Sequence, residues 1–306
     1  GRRESDLETV MSISATEAAF EGFRVVRRHP LVAVFWGLAY LVMFLAMFGL
    51  GGGQWATIMA ASEAIQQSGN PSMEEVSALM QAYSGLFIWV APLMLVIGAV
   101  LSAGVARSVL KPDDHRFGYL RLGMDEVRVL AVTLIISVIV GLASGVLFGV
   151  VVTLAGMATA MGQAIFFLIA LIVALGAIAL VIWLSVKFSL AVPITLDRGK
   201  ISLVESFKAT KGVFWPILGM AVIAVVMSLI VSILGGIISQ GADLVTGGGV
   251  ETLSAMDGQS TVQVLAQAWP ALLVWSVVNA FLSALQLAVI YAPFSAVWAE
   301  MRDRKA

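Results

Sequence analysis

Two histidines and two aspartates are the first groups to test for chemistry. His115 directly follows Asp113 and Asp114, and His29 stands before Pro30. A bound metal needs several donors at fixed spacing, and three consecutive positions after Pro112 serve equally well to start a helix. Helix capping is the reading adopted, so no metal site is expected. No H-E-x-x-H, phosphate-binding loop, dinucleotide fingerprint or nucleophile elbow occurs. The Gly51–Gln54 run lacks the lysine and following helix that a phosphate loop requires. With zero cysteines there is no thiolate ligand or nucleophile. No catalytic residue and no cofactor is expected, and the outer-loop carboxylates Glu74, Glu75 and Asp243 are expected to be solvated.

A second group has spacing but little reactivity. Ser276, Asn279, Ser283 and Gln286 recur at intervals of three and four within an apolar run, which places them on one helix face. A polar stripe inside a membrane avoids lipid, so this face is expected to point into the bundle. Two roles are open to it. It is either hydrogen-bonded glue between helices, worth about 0.6–2 kcal/mol per contact, or the wall of a substrate path.

The elements that must carry these residues follow from composition. Of the residues, 60% are hydrophobic and 12% charged, with a mean hydropathy of +0.98; soluble domains are about 25% charged. Runs longer than ~18 apolar residues read as transmembrane helices. Six are present, at about 31–50, 84–110, 129–155, 164–191, 214–239 and 270–297. The predicted fold is therefore all-α: a polytopic bundle of six transmembrane helices. Residues 1–10 read as a disordered or appended tail ahead of Met11, and 11–306 as one membrane domain. The first apolar run is too long for the core of a cleavable signal peptide. Gly51–Gly53 are expected to close span 1. Residues 54–83 are expected to hold two short helices, the second capped by Ser72 with Glu75 and carrying Met73, Val76, Met80 and Tyr83 on one face. Pro92 is expected to bend span 2 mildly.

Between and before the spans lie three amphipathic stretches. Residues 14–29 start with a capping pair, Ser14 and Glu17, and place Ala19, Phe23 and Val26 on one face with Phe20 beside it. The opposite face carries Glu17, Glu21, Arg24 and Arg28. Such a helix either lies in the membrane interface or packs on the protein's own spans. Residues 111–128 repeat the theme, with Phe117, Leu120, Met124 and Val127 as the apolar face. The connector 200–213 has a capping pair at Ser202 and Glu205 and an apolar edge of Leu203, Val204 and Phe207. The chain thus reads as three hairpin repeats (about 14–110, 111–191 and 200–300), each preceded by a cytoplasmic amphipathic interfacial helix.

Charge assigns the two sides. All eighteen Lys and Arg residues fall before span 1, between spans 2 and 3, between spans 4 and 5, or after span 6. The other three loops carry only carboxylates, including Glu63, Glu251 and Asp257. By the positive-inside rule both termini and the amphipathic stretches are cytoplasmic. Trp89 and Trp269 at the outer ends, with Trp183, Trp215 and Trp298 at the inner ends, fit interfacial belts. The basic residues Arg24, Arg27, Arg28, Arg121, Arg128, Lys208 and Lys211 are candidates for contact with anionic headgroups, each worth about 1 kcal/mol near a charged surface; setting topology is the simpler role. Lys187 is expected to snorkel from the end of span 4. No acidic residue lies deep in a span, which argues against a carboxylate proton relay. Small residues at Gly141, Gly145 and Gly149, and at Gly98, Ser102 and Ala106, predict close helix approach within the monomer, with a homo-oligomer contact as the alternative.

The connector also carries a resemblance. Lys187, Pro193, Ser206, Thr210, Lys211, Gly212 and Trp215, with the N-terminal AAFEGFRVVRRHP and the closing YAPFSAVWAEMRD, resemble the bacterial membrane-domain family named after glycerophosphoryl diester phosphodiesterase. That resemblance spans the chain through loose motifs and implies six helices and an inner-membrane address. It implies no catalysis, because the phosphodiesterase activity of fused relatives belongs to a separate soluble barrel. The expected function is that of a non-enzymatic inner-membrane protein binding lipid or a protein partner in envelope organisation, with no nucleic-acid contact. The alternative is a transporter or flippase for a lipid-like or small neutral substrate.

Overall fold

The computed structural model describes residues 15–68, 72–113, 116–246 and 250–304, together with the side chains of 17–68, 72–113, 116–241 and 252–304. The readings placed on residues 1–10, Ser14, Asp114, His115 and Gly247–Gly249, and on the side chains of Asp243 and Glu251, lie outside the described residues. Every regular element among the described residues is helical. In order these are α1 (Ala15–Ala19), α2 (Glu21–Arg28), α3 (Pro30–Ser68), α4 (Met73–Leu110), α5 (Met124–Met161), α6 (Ala164–Phe188), α7 (Ala191–Arg198), α8 (Leu203–Ala209), α9 (Phe214–Thr246) and α10 (Thr261–Asp303). Short 3-10 turns cover Arg116–Tyr119 and Val250–Met256.

Six helices are long and apolar enough to cross a membrane: α3, α4, α5, α6, α9 and α10. Lipid offers backbone groups no hydrogen-bond partner, so a contiguous apolar run closes its bonds within one helix. Five of these helices, all but α6, outrun the predicted spans. The 39 residues of α3, at about 1.5 Å each, extend roughly 58 Å, against a hydrocarbon core of about 30 Å. Gly51–Gly53 do not end span 1. Gly51 only departs locally from helical geometry (φ −130°, ψ 15°), and α3 continues to Ser68. The reason is tertiary: beyond the glycines Ala56 and Ile58 are buried in one cluster with Leu253 and Val264, and this packing outweighs the low helix propensity of three glycines. Gly53 itself donates its N–H to Thr261 Oγ1 at 3.2 Å. The Ser72–Glu75 capping box is formed as expected, but its helix runs unbroken through Pro92 into span 2. Span 3 likewise starts earlier and ends later, at Met124 and Met161.

The amphipathic stretches fold in three different ways. Residues 15–28 form α1 and α2, interrupted at Phe20, and they pack on α9 and α10. Ala18, Ala19, Gly22 and Val25 are the buried face, while Phe20 points outward. Gly22 makes this contact possible, since an added Cβ would stand 2.7 Å from Val289 Cα on α10.

The second stretch is not an amphipathic helix. Phe117, Gly118 and Tyr119 all take positive φ, at 51°, 65° and 62°, a region that breaks a right-handed helix. Phe117 and Met124 of the expected apolar face are exposed.

In the third, α8 forms where expected, but Ser202 and Glu205 make no capping box. The Ser202 hydroxyl donates to Lys200 O at 3.0 Å, and Glu205 pairs with Arg198 and Lys200. The buried face of α8 is its polar one, Ser202, Ser206 and Thr210, whereas Val204 and Phe207 face outward.

Candidate functional site

The long helices do not close on one another completely. A cavity of about 860 Å³ lies between α4, α5, α6, α9 and α10, with Tyr40 of α3 also on its wall. Its α4 wall is a single face: Phe87, Ala91, Met94, Leu95, Gly98, Ser102 and Ala106, at the three- and four-residue spacing of one helix side. From Phe87 to Ala106 this wall rises roughly 29 Å at about 1.5 Å per residue, close to the ~30 Å hydrocarbon thickness. The cavity is therefore long rather than round. Its volume sits in the upper part of the ~300–1,000 Å³ range typical of small-ligand sites.

The lining is largely apolar, with Ile136 and Val140 of α5 and Met94 and Leu95 of α4 on it. Hydroxyl-bearing residues also line it, at Tyr40, Ser102, Thr133, Ser137, Ser185, Ser189, Tyr291 and Ser295. Three of these spend their proton on their own helix: Ser102 on Ala99 O, Ser185 on Val181 O and Ser189 on Val186 O, at 2.8–3.1 Å. What remains toward the cavity is acceptor character. Gly98 is open to the cavity, and a Cβ there would meet nothing within 4 Å. Gly98 thus serves as cavity wall, while Ser102 and Ala106, on the same face, line the cavity and are themselves buried. Gly141, Gly145 and Gly149 on α5 also have nothing within 4 Å, so this ridge makes no close approach within the chain.

The polar face of span 6 is only partly turned inward. Ser276 is fully buried, and its hydroxyl has no hydrogen-bond partner among the described residues. The Asn279 amide donates to Trp275 O on its own helix at 2.9 Å, and Ser283 is half-buried. Gln286 donates to Ser232 Oγ of α9 at 2.6 Å, which is glue between helices. None of the four lines the cavity.

Among the candidate lipid-contacting cations, Arg24, Arg27, Arg28, Arg121, Lys208 and Lys211 are exposed and Arg128 half-buried. Arg24 pairs with Glu21 and Arg128 with Asp125.

Three buried charges escaped the sequence reading. Arg107, near the end of α4, donates from Nη2 to Glu126 Oε1 at 2.5 Å and from Nη1 to Tyr119 O at 2.6 Å. Glu126 also accepts the Gly123 N–H at 2.9 Å. Trp36 Nε1 donates to Gly118 O and the Tyr119 hydroxyl to Pro112 O, both at 2.8 Å. These bonds clamp the loop before α5 over the end of α4 and explain its left-handed turn. Lys187 lies in the last turn of α6. It is buried, with Nζ 5.1 Å from the centre of the Phe207 ring and 6.0 Å from that of Phe214. A basic residue at a span end was visible in the sequence; its aromatic surround was not, since Phe207 and Phe214 come from α8 and α9.

Comparison with protein-family models, with curated proteins and with solved structures gives no match for this chain.

Proposed function

We propose that this chain is a non-enzymatic, multi-pass lipid-binding protein of a bacterial inner membrane, whose long cavity takes the acyl portion of a membrane lipid. The observation that carries the reading is the 860 Å³ apolar cavity, with one wall matching the hydrocarbon thickness. The same reading includes both termini in the cytoplasm, three helical hairpins built on interfacial segments, a role in envelope organisation, and kinship with the membrane-domain family named above. Support for the orientation is the placement of every Lys and Arg on one side of the six spans. Support for an interfacial position of α8 is its outward Val204 and Phe207 over a buried polar face.

Energetics limits what the cavity can select. A lipid tail is as apolar in the bilayer as in the cavity, so tail burial supplies little preference. Selectivity must come from shape and from the hydroxyls on the lining.

The test is lipid retention. Purified in mild detergent and analysed by mass spectrometry, the wild-type chain should carry stoichiometric lipid. Gly98→Leu places a side chain where a Cβ meets nothing within 4 Å, and should lose that lipid while keeping the wild-type unfolding temperature. A wild type with no retained lipid, or a Gly98→Leu chain that retains as much, overturns the reading. Lipid passage is the second reading, favoured by a cavity that runs the full apolar depth; lipid scrambling in vesicles that Gly98→Leu abolishes would establish it.

A further inference from the structure

Lys187 is the one buried lysine among the described residues, at 8% exposure. Burial strips hydration from an ammonium at a cost that contact with ring faces does not repay in full. A buried cation is ordinarily completed by a carboxylate, yet the paired carboxylates on α5, α7 and α8 serve other cations. Glu205 is held by Arg198 and Lys200, Asp197 by Arg302 and the Trp298 N–H, and Glu126 by Arg107. No ion pair joins Lys187 to any described residue.

The surroundings are built rather than accidental. Ser206 Oγ donates to Lys187 O at 2.8 Å, which ties α8 to the end of α6. Thr210 Oγ1 closes the same helix onto Ser206 O at 3.1 Å. This tether sets the Phe207 ring over Lys187 Nζ and, edge-on, against Trp183 at 5.4 Å between centroids. Around the site an apolar collar faces outward: Trp215 at 76% exposure, Val204 at 67% and Ile201 at 51%. Lys208 and Lys211 stand exposed on the same segment. Aromatic and aliphatic groups beside lysines at a span end match the headgroup level of a bilayer, where phosphate oxygens are the abundant anions.

We propose that Lys187, framed by Phe207 and Phe214, is the binding site for the phosphate of an anionic glycerophospholipid, whose tails lie along the collar. The site is distinct from the cavity. Ser185, Phe188 and Ser189 line the cavity, and at 100° per residue Lys187 projects from the other side of α6. The assignment rests on the six spans crossing a bilayer but not on lipid occupying the cavity.

The experiment titrates the delipidated full-length chain in detergent with short-chain phosphatidylglycerol, phosphatidylcholine or inorganic phosphate. Tryptophan fluorescence is the readout, with Trp183→Phe to assign the signal. Wild type should bind phosphatidylglycerol in preference to phosphatidylcholine. Lys187→Met, which keeps the aliphatic stem, should weaken phosphatidylglycerol binding about tenfold, the loss expected for one charge-assisted contact. Lys187→Arg should restore most of it. Should Lys187→Met fail to fold, Phe207→Leu provides the second variant and should also weaken binding. Equal phosphatidylglycerol binding by wild type and Lys187→Met or Phe207→Leu overturns the proposal. So does binding of inorganic phosphate as tight as that of the lipid, which would make this a free-anion site.

Discussion

Glu126→Ala tests the clamp at the basic end most directly. The Glu126 and Arg107 side chains are only 6% and 4% exposed, so the substitution strands a guanidinium in a place from which water is excluded. Breaking a buried pair by removing one partner costs about 3–5 kcal/mol. Here Arg107 keeps the Tyr119 carbonyl while the Gly123 N–H loses its acceptor, so the upper part of that range is expected. Glu126→Gln retains one amide oxygen for either Arg107 or Gly123 but not the charge, and should lose about 1.5–3 kcal/mol, the value of a hydrogen bond to a charged group. The double variant Arg107→Met/Glu126→Leu removes both charges. It should be less destabilised than Glu126→Ala alone, although the Tyr119 carbonyl and Gly123 N–H still lack partners. The assay is reversible unfolding in mixed micelles of rising dodecyl sulfate fraction, read by tryptophan emission. Trp36, which donates to Gly118 in the clamped loop, reports locally. A Glu126→Ala chain within about 1 kcal/mol of wild type, or a double variant whose loss equals the sum of the single losses, would refute the buried-pair reasoning.

Two further outcomes follow from the packing of the helical segments at the basic end. Gly22→Ala drives a methyl against backbone at Val289, where no side chain can yield, and α2 must lift from α10; a loss of about 1–3 kcal/mol is expected in the same unfolding assay, and an unchanged midpoint would show that the helices separate freely. The hydrogen bond from Lys200, followed by the charge of Arg198 and the Ser202 hydroxyl, holds the Glu205 carboxyl below its usual range against an opposing effect of burial. Because the folded value is depressed, the stabilisation is present above the ordinary carboxylate pKa and fades as pH falls through the folded value. Hydrogen exchange in residues 198–206 should therefore quicken in acid beyond its intrinsic rate in wild type but not in Glu205→Gln; identical profiles would dismiss the link.

The partition of Lys and Arg among the segments is a linear feature, in which each residue counts independently of its neighbours in space. The six apolar runs are of the same kind. A bilayer acts on every residue of a contiguous stretch, and the hydrogen bonds that a helix needs are internal to it, so helix existence and approximate position follow from composition along the chain. The Ser72–Glu75 cap was legible for the same reason, since both partners lie within one turn.

Other features required distant surfaces to meet. The helix through Gly51–Gly53 persists because Ala56 and Ile58 find Leu253 and Val264 about two hundred residues away. The left-handed turn at Phe117–Tyr119 exists because Arg107 and Trp36 take its carbonyls. Lys187 is buried because α8 folds back over it. The cavity is furthest from the sequence: it is a space, made by six helices failing to interlock along Gly98 and its neighbours. Hydropathy records what each residue prefers as solvent, whereas a void depends on how separately formed surfaces fit, and only the folded chain brings those surfaces together.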